Sequence, residues 1–249
     1  MQIIVQGLMT HYESYGSGKQ VLILHGWADT GRNWRAIARR LSRTYEVIVP
    51  DLPGFGGTEA PKSVWGLEDY AKFVGSFIAK AGFVPYAIVG HSNGGAIAIR
   101  GVSSDMLHPT KLVLLASAGI RDEAHGRKNA WRLLAKAGKI AATPLPSSAR
   151  NRLRSRLYRA AGSDMLIAEH LQETFKRVVS DDVRNDTRRV TMPTLLLYGE
   201  NDSSTPPRFG EMLSRPMADA TFRTIQGAGH LIQIDEPDSV VRFMEEFLE

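Results

Sequence analysis

The pentapeptide Gly90-His-Ser-Asn-Gly94 restricts the folds open to this chain more than any other segment. It follows an apolar run, Tyr86 to Val89, and opens an apolar segment, Gly95 to Val102, that suits a helix. A serine at so sharp a strand-to-helix turn is held in a strained backbone conformation where neighbouring side chains would collide, so glycines are needed on both sides. The turn therefore predicts that Ser92 is presented at the C-terminal edge of a sheet, its hydroxyl free to react rather than serving only as a helix N-cap.

Other segments repeat the strand pattern. Val21-Leu-Ile-Leu24, Tyr45-Glu-Val-Ile-Val-Pro50, Lys111-Leu-Val-Leu-Leu-Ala116 and Thr194-Leu-Leu-Leu-Tyr198 are short β-rich runs, each ending at a Gly, Pro or polar turn, as buried parallel strands do. Between them Leu67, Tyr70, Ala71, Val74, Phe77, Ile78 and Ala81 recur at helical spacing and stop at Gly82. Strands alternating with helices predict an α/β fold, a mostly parallel doubly wound sheet covered on both faces. The rhythm breaks after Ala118-Gly119 and resumes at Thr194. Trp131, Leu133 and Leu134, then Leu153, Leu157 and Tyr158, then Met165 through Val179 give three helices in the gap, the first two separated by Pro144 and Pro146. The expected organisation is a core of residues 1–119 and 190–249 with a helical insertion at 120–189, closed by a strand at Ala220 to Gln226 and a helix at Pro237 to Leu248.

Composition narrows the chemistry. With no cysteine in 249 residues there is no disulfide framework, thiolate metal site or cysteine nucleophile, so Ser, Asp and His must carry any reaction. Gln2, Gln6, His11 and Glu13 interrupt the apolar residues of Met1 to Tyr15, unlike a secretory signal, and no segment approaches the roughly 20 apolar residues of a membrane span. A cytoplasmic protein without a membrane span, monomer or homodimer, is expected. The net charge of +5 is uneven: residues 120–190 hold 16 Lys and Arg against 8 Asp and Glu, a net +8. Basic residues interspersed at helical spacing with few aromatics read as a solvated face, so no nucleic-acid partner is expected.

A serine hydroxyl needs a base to take its proton. Of seven histidines, His230 in Gly227-Ala-Gly-His230 follows the final strand on a glycine-flanked loop that can carry an imidazole over the same sheet edge. His25 and His91 are expected to pack locally. The base needs an acid to fix its tautomer. Asp202 follows the strand Thr194 to Tyr198 and precedes Pro206-Pro207; Glu200 would point away along an extended loop, and Asp51 reads as a turn acid capping backbone amides. Two donors for a developing oxyanion are expected from the backbone N–H groups of Asn93, just after Ser92, and of Trp27, where Gly26 allows close approach.

Taken together, Val21-Leu-Ile-Leu-His-Gly-Trp27, Asp51-Leu-Pro-Gly-Phe-Gly56, Gly90-His-Ser-Asn-Gly-Gly95, Gly199-Glu-Asn-Asp202 and Gly227-Ala-Gly-His230 closely resemble the α/β-hydrolase superfamily. The resemblance covers the sheet domain at both ends of the chain. It implies Ser92 as nucleophile, Asp202 as acid, His230 as base, the Trp27 and Asn93 amides as oxyanion hole, and residues 120–189 as a cap over the site, with no metal or other cofactor. The expected activity is that of a serine hydrolase cleaving a small, ester-like substrate, an ester or thioester. His25-Gly-Trp27 resembles cofactor-free esterases. The Asn33-Trp34 pair and helical cap resemble carbon–carbon bond hydrolases of ring-cleavage products, which would use the same three residues. A member of the fold that binds a signalling molecule and turns it over slowly is the third reading. Asn93 departs from the methionine many relatives carry, and Asp235 from their glutamate.

Overall fold

The computed structural model describes residues 1–121 and 171–249. Among them eight strands form one sheet: β1 (Gln2–Val5), β2 (Leu8–Tyr15), β3 (Gln20–Leu24), β4 (Glu46–Pro50), β5 (Pro85–His91), β6 (Lys111–Leu115), β7 (Thr194–Gly199) and β8 (Ala220–Ile225). Their order is β1-β2-β4-β3-β5-β6-β7-β8, parallel from β4 to β8, with β1 and β2 antiparallel at one edge. The parallel sheet expected from the sequence is present. The β1–β2 hairpin is an addition that the polar, half-exposed residues of Leu8–Tyr15 do not announce.

Period-two alternation divides the core into two layers. Leu22, Ile48, Ile88, Leu112 and Leu196 face one side, packed with Tyr70, Phe73 and Phe77 of α2 (Leu67–Ala81) and Ile97 of α3 (Asn93–Ser103). Val21, Ile23, Val47, Val89, Val113 and Leu197 face the other, against Ile37 and Leu41 of α1 (Arg35–Leu41) and Val240, Val241 and Met244 of a C-terminal helix (Pro237–Leu248). Helix α2 begins where Asp69 accepts the Gly66 N–H at 2.8 Å and ends at Gly82, whose φ of +73° is the left-handed stop that glycine permits.

Register aligns the strand ends along one edge. Leu24 lies beside Gly90, His91 beside Leu115, Leu115 beside Leu197, and Gly199 beside Ile225, so the loops after β3, β5, β6, β7 and β8 all emerge together. In open α/β sheets this carboxyl edge is where ligands are bound.

Most of the expected insertion, including the first two of its three helices and the basic residues from Arg127 to Arg159, lies outside the described residues. Its two ends are described, and they meet: Val183 N–H donates to Gly119 O at 2.8 Å, and Arg121 N–H to the Asp182 carboxylate at 3.0 Å. Arg100 of α3 is bound by Asp181 and Asp186, fixing the returning chain to the helix that follows Ser92. Ends so close let a long segment be added without disturbing the sheet. The part of the third helix that is described forms α4 (Gln172–Ser180), followed by α5 (Pro207–Ser214), α6 (Ile232–Asp235) and α7, the C-terminal helix. Among the described residues no helix is long and apolar enough to cross a membrane.

Helix α3 meets β3 through Gly94: a Cβ there would lie 2.2 Å from Leu24 O and 2.7 Å from His25 O. Both are backbone atoms with nowhere to go. Gly94→Ala is therefore expected to destabilise the fold by about 1–3 kcal/mol, as overpacked sites do, lowering Tm by about 2–12 °C. Thermal unfolding followed by circular dichroism checks this, and an unchanged Tm would show that α3 can retreat freely.

Candidate active site

The turn between β5 and α3 places Ser92 at φ +50° and ψ −115°, a conformation that a residue with a side chain holds only where its surroundings impose it. Those surroundings are mostly backbone. A Cβ on Gly90 would fall 2.6 Å from Gly94 O, and one on Gly95 2.3 Å from the Ser117 hydroxyl. Ser92 N–H donates to Leu115 O at 3.0 Å, and Ser92 O accepts from Ala118 N–H at 2.9 Å, tying the turn to the end of β6.

The loop after β8 brings His230 to this turn. Gly199, the last residue of β7, makes that approach feasible: a Cβ there would lie 2.2 Å from Gly229 O. The Gly229 N–H donates to the Asp235 carboxylate at 2.8 Å, so the aspartate that replaces the expected glutamate braces the histidine loop. The outcome is a relay of short contacts. His230 Nε2 lies 3.0 Å from Ser92 Oγ, and His230 Nδ1 lies 2.8 Å from Asp202 Oδ2.

Asp202 is buried and richly solvated by protein donors. Its Oδ1 accepts the N–H groups of Ser204 at 2.8 Å and Thr205 at 3.0 Å, and its Oδ2 lies 2.7 Å from the Thr205 hydroxyl. Burial alone would raise this carboxyl, yet the hydrogen bonds from His230 and Thr205 hold it below the usual carboxylate range. Of its two rivals, Glu200 is exposed and accepts the Gly227 N–H at 3.2 Å. Asp51 caps backbone amides, accepting from Gly31 at 2.7 Å and Gly57 at 2.8 Å, with His11 at 3.0 Å.

Two further histidines, expected from the sequence to pack locally, are buried and brace distant loops instead. His25 Nε2 accepts the Leu52 N–H at 2.8 Å, which leaves its Nδ1–H to donate to Gly26 O at 2.8 Å. Burial keeps it neutral. His91 donates from Nε2 to His230 O at 3.0 Å, and burial followed by the neighbouring His230 charge pushes it down to about 4. A neutral imidazole so close to His230 adds no repulsion when His230 takes a proton.

Gly26 carries the loop after β3 past the serine, where a Cβ would stand 3.2 Å from Ser92 Cβ. Trp27 is the next residue along that loop. Asn93, the first residue of α3, has a backbone N–H with no acceptor inside its own helix. The structure thus brings Ser92, His230 and Asp202 into contact, with Asn93 next to Ser92 and Trp27 next to Gly26 along the chain. Chemically, the set offers a hydroxyl, a base that can take its proton, a carboxylate fixing that base, and amide donors beside it. Thr205 is the member that the sequence reading missed: it sits in the turn after Asp202, but its hydroxyl also lies 2.9 Å from Ala116 O at the end of β6 and 3.1 Å from His230 Nδ1. Among the described residues no cluster of three or more His, Asp or Glu side chains could hold a metal ion.

Comparison with known proteins agrees with this fold. A family model described as the alpha/beta hydrolase family matches residues 21–243. The 2-hydroxy-6-oxo-2,4-heptadienoate hydrolase of Pseudomonas putida is 24% identical over 267 residues, covering 99% of this chain and 95% of its own. The enol-lactonase of Burkholderia xenovorans shares the fold with a TM-score of 0.78 at 18% identity, over 100% of this chain and 99% of that one. A meta-cleavage product hydrolase of Pseudomonas fluorescens gives 0.74 at 23% identity, over 99% and 96%.

The lowered Asp202 carboxyl makes a prediction about acid stability. Because its folded-state value lies below the unfolded value of about 3.9, the stabilisation is full above that pH and is lost as pH falls through the folded value. Thr205→Val removes one donor to the carboxylate. The Tm gap between wild type and Thr205→Val is expected to be widest near neutrality and to narrow below about pH 4. A gap constant down to pH 3 would contradict this account of the carboxylate.

Proposed function

The chain belongs to the alpha/beta hydrolase family, and from that premise we propose that it is a serine hydrolase cleaving a small carboxylic ester or thioester. The observation that carries this reading is the pair of contacts on His230, 3.0 Å to Ser92 Oγ and 2.8 Å to Asp202 Oδ2. His230 takes the Ser92 proton as Oγ attacks the carbonyl carbon, and Asp202 holds the imidazole with Nε2 toward the serine. The oxyanion is held by the Trp27 and Asn93 N–H groups. Collapse of the tetrahedral intermediate breaks the bond to the leaving group, which receives the proton from His230. Water, activated by the same imidazole, then releases the acyl group and regenerates Ser92.

In this reading residues 1–119 and 190–249 form the hydrolytic core, and residues 120–189 form a cap that shapes the substrate pocket. Support comes from the insertion's returning end, which Asp181 and Asp186 tie to Arg100 of α3, and from its first residues, which meet that end at Arg121 and Asp182. A second reaction, carbon–carbon bond hydrolysis with the same three residues, is favoured by the near full-length similarity to a hydrolase of 2-hydroxy-6-oxo-2,4-heptadienoate. Assaying that dienoate alongside p-nitrophenyl esters separates the two reactions.

The decisive experiment is kinetics on a short p-nitrophenyl ester. Ser92→Ala and His230→Gln are each expected to lower kcat by at least about 10³-fold, and Asp202→Asn by about 10³–10⁴-fold through the wrong histidine tautomer. Glu200→Gln, on an exposed side chain, is expected to change kcat less than about threefold. Substantial hydrolysis by His230→Gln would place the base elsewhere, and a damaging Glu200→Gln with a mild Asp202→Asn would reverse the assignment of the acid.

A further inference from the structure

Hydrogen-bonding groups of four buried side chains have no partner among the described residues: Trp27 Nε1, His91 Nδ1, and both amide atoms of Asn93 and of Gln233. Native proteins seldom leave such groups unpaired, because burial removes water without replacing it. His91 has a bond through its other nitrogen. Trp27, Asn93 and Gln233 have none, and of these Asn93 follows Ser92 directly and Trp27 follows Gly26, which passes the serine.

Their positions define where a partner would have to be. Asn93 is covalently next to Ser92, and a Cβ on Gly26 would stand 3.2 Å from Ser92 Cβ. The Trp27 ring lies between Phe55, 4.9 Å away between centroids, and Phe175 of α4, 5.1 Å away. The two rings packed against the indole are apolar. Both the Trp27 and Asn93 side chains are rooted on the oxyanion side of Ser92. The leaving group has to lie beside His230, which protonates it, so a substrate group reached from the oxyanion side belongs to the acyl portion.

We infer that Trp27 and Asn93 form a polar subsite that recognises a hydroxyl on the acyl chain, within two or three bonds of the scissile carbonyl. The inference rests on the proposed serine-hydrolase reading and narrows its substrate class to esters of 2- or 3-hydroxy acids. A hydroxyl fits because it both accepts and donates: the indole offers only a donor, and the amide offers a donor and an acceptor. An unsubstituted acyl chain would leave all three groups unpaired in the bound state, the situation in which polar sites discriminate most strongly against an analogue lacking the group. A keto group, acceptor only, would satisfy the donors and leave Asn93 Oδ1 without a partner.

Measuring kcat/KM for the methyl esters of butyrate, 2-hydroxybutyrate, 3-hydroxybutyrate and 3-oxobutyrate tests this, with wild type, Asn93→Leu and Trp27→Phe compared. Both substitutions keep the backbone N–H and remove the polar side-chain atoms. Wild type is expected to prefer one hydroxy ester over butyrate by at least about tenfold, the 3-oxo ester falling between, as one satisfied hydrogen bond would give. In Asn93→Leu and Trp27→Phe that ratio is expected to shrink toward about one to threefold, whatever happens to the absolute rates. A wild-type ratio near one for both hydroxy esters, or a ratio unchanged in both variants, would overturn the subsite while leaving the serine-hydrolase reading intact. Absence of hydrolysis of all four esters and of p-nitrophenyl esters would overturn that reading, and the subsite with it.

Discussion

The conformation of Ser92 is the constraint on which the rest of the site depends. At φ +50° it turns a side chain outward from a junction where strand and helix backbones nearly touch. The contacts that hold it there involve backbone on nearly every side: Gly90 against Gly94, Gly94 against the end of β3, and Ser92 itself bonded to Leu115 and Ala118. A residue in this region costs of order 1–3 kcal/mol, and the cost is met by the packing of α3 and the central strands β3, β5 and β6. The same economy of space recurs at Gly199, where the missing side chain lets the histidine loop lie on the end of β7. Without that approach Asp202 and His230, on different loops, would stand apart.

Burial assigns distinct duties to three imidazoles gathered at one edge. His25 and His91 are fully buried and held neutral, and each joins two loops by a single hydrogen bond on a defined nitrogen. His230 is the one left partly exposed, with a carboxylate on one nitrogen and the serine hydroxyl on the other. Donors around Asp202 come from Ser204, Thr205 and His230, so the charge is stabilised by protein rather than by water. A preorganised charge of this sort needs no rearrangement when the imidazole takes a proton, which is the chief electrostatic advantage an enzyme site can offer.

Much of this was legible in the sequence because the informative features are local. A buried parallel strand is an apolar run, and a turn that demands glycine carries glycine, so β3 to β8, α2, α3 and α7 can be read from order and spacing alone. The β1–β2 hairpin could not, since Leu8–Tyr15 mixes Thr10, His11, Glu13 and Ser14 with its apolar residues at a half-exposed edge. The choice of Asp202 over Glu200 turned on the path of one loop, which two residues of spacing only hint at. Thr205 was illegible for a different reason: its hydroxyl matters through Ala116, 89 positions away, and through His230, neither of which a turn signal specifies. The unpaired amide of Asn93 shows only in the structure, although its departure from the methionine of many relatives marked the position.

Activation of Ser92 by His230 is the centre of the account, and covalent capture measures it most directly. Protein treated with a fluorophosphonate should gain one adduct per chain, on the peptide containing Ser92, with labelling slowed by orders of magnitude in His230→Gln. An adduct on another serine, or labelling of Ser92 at the same rate without His230, would contradict it.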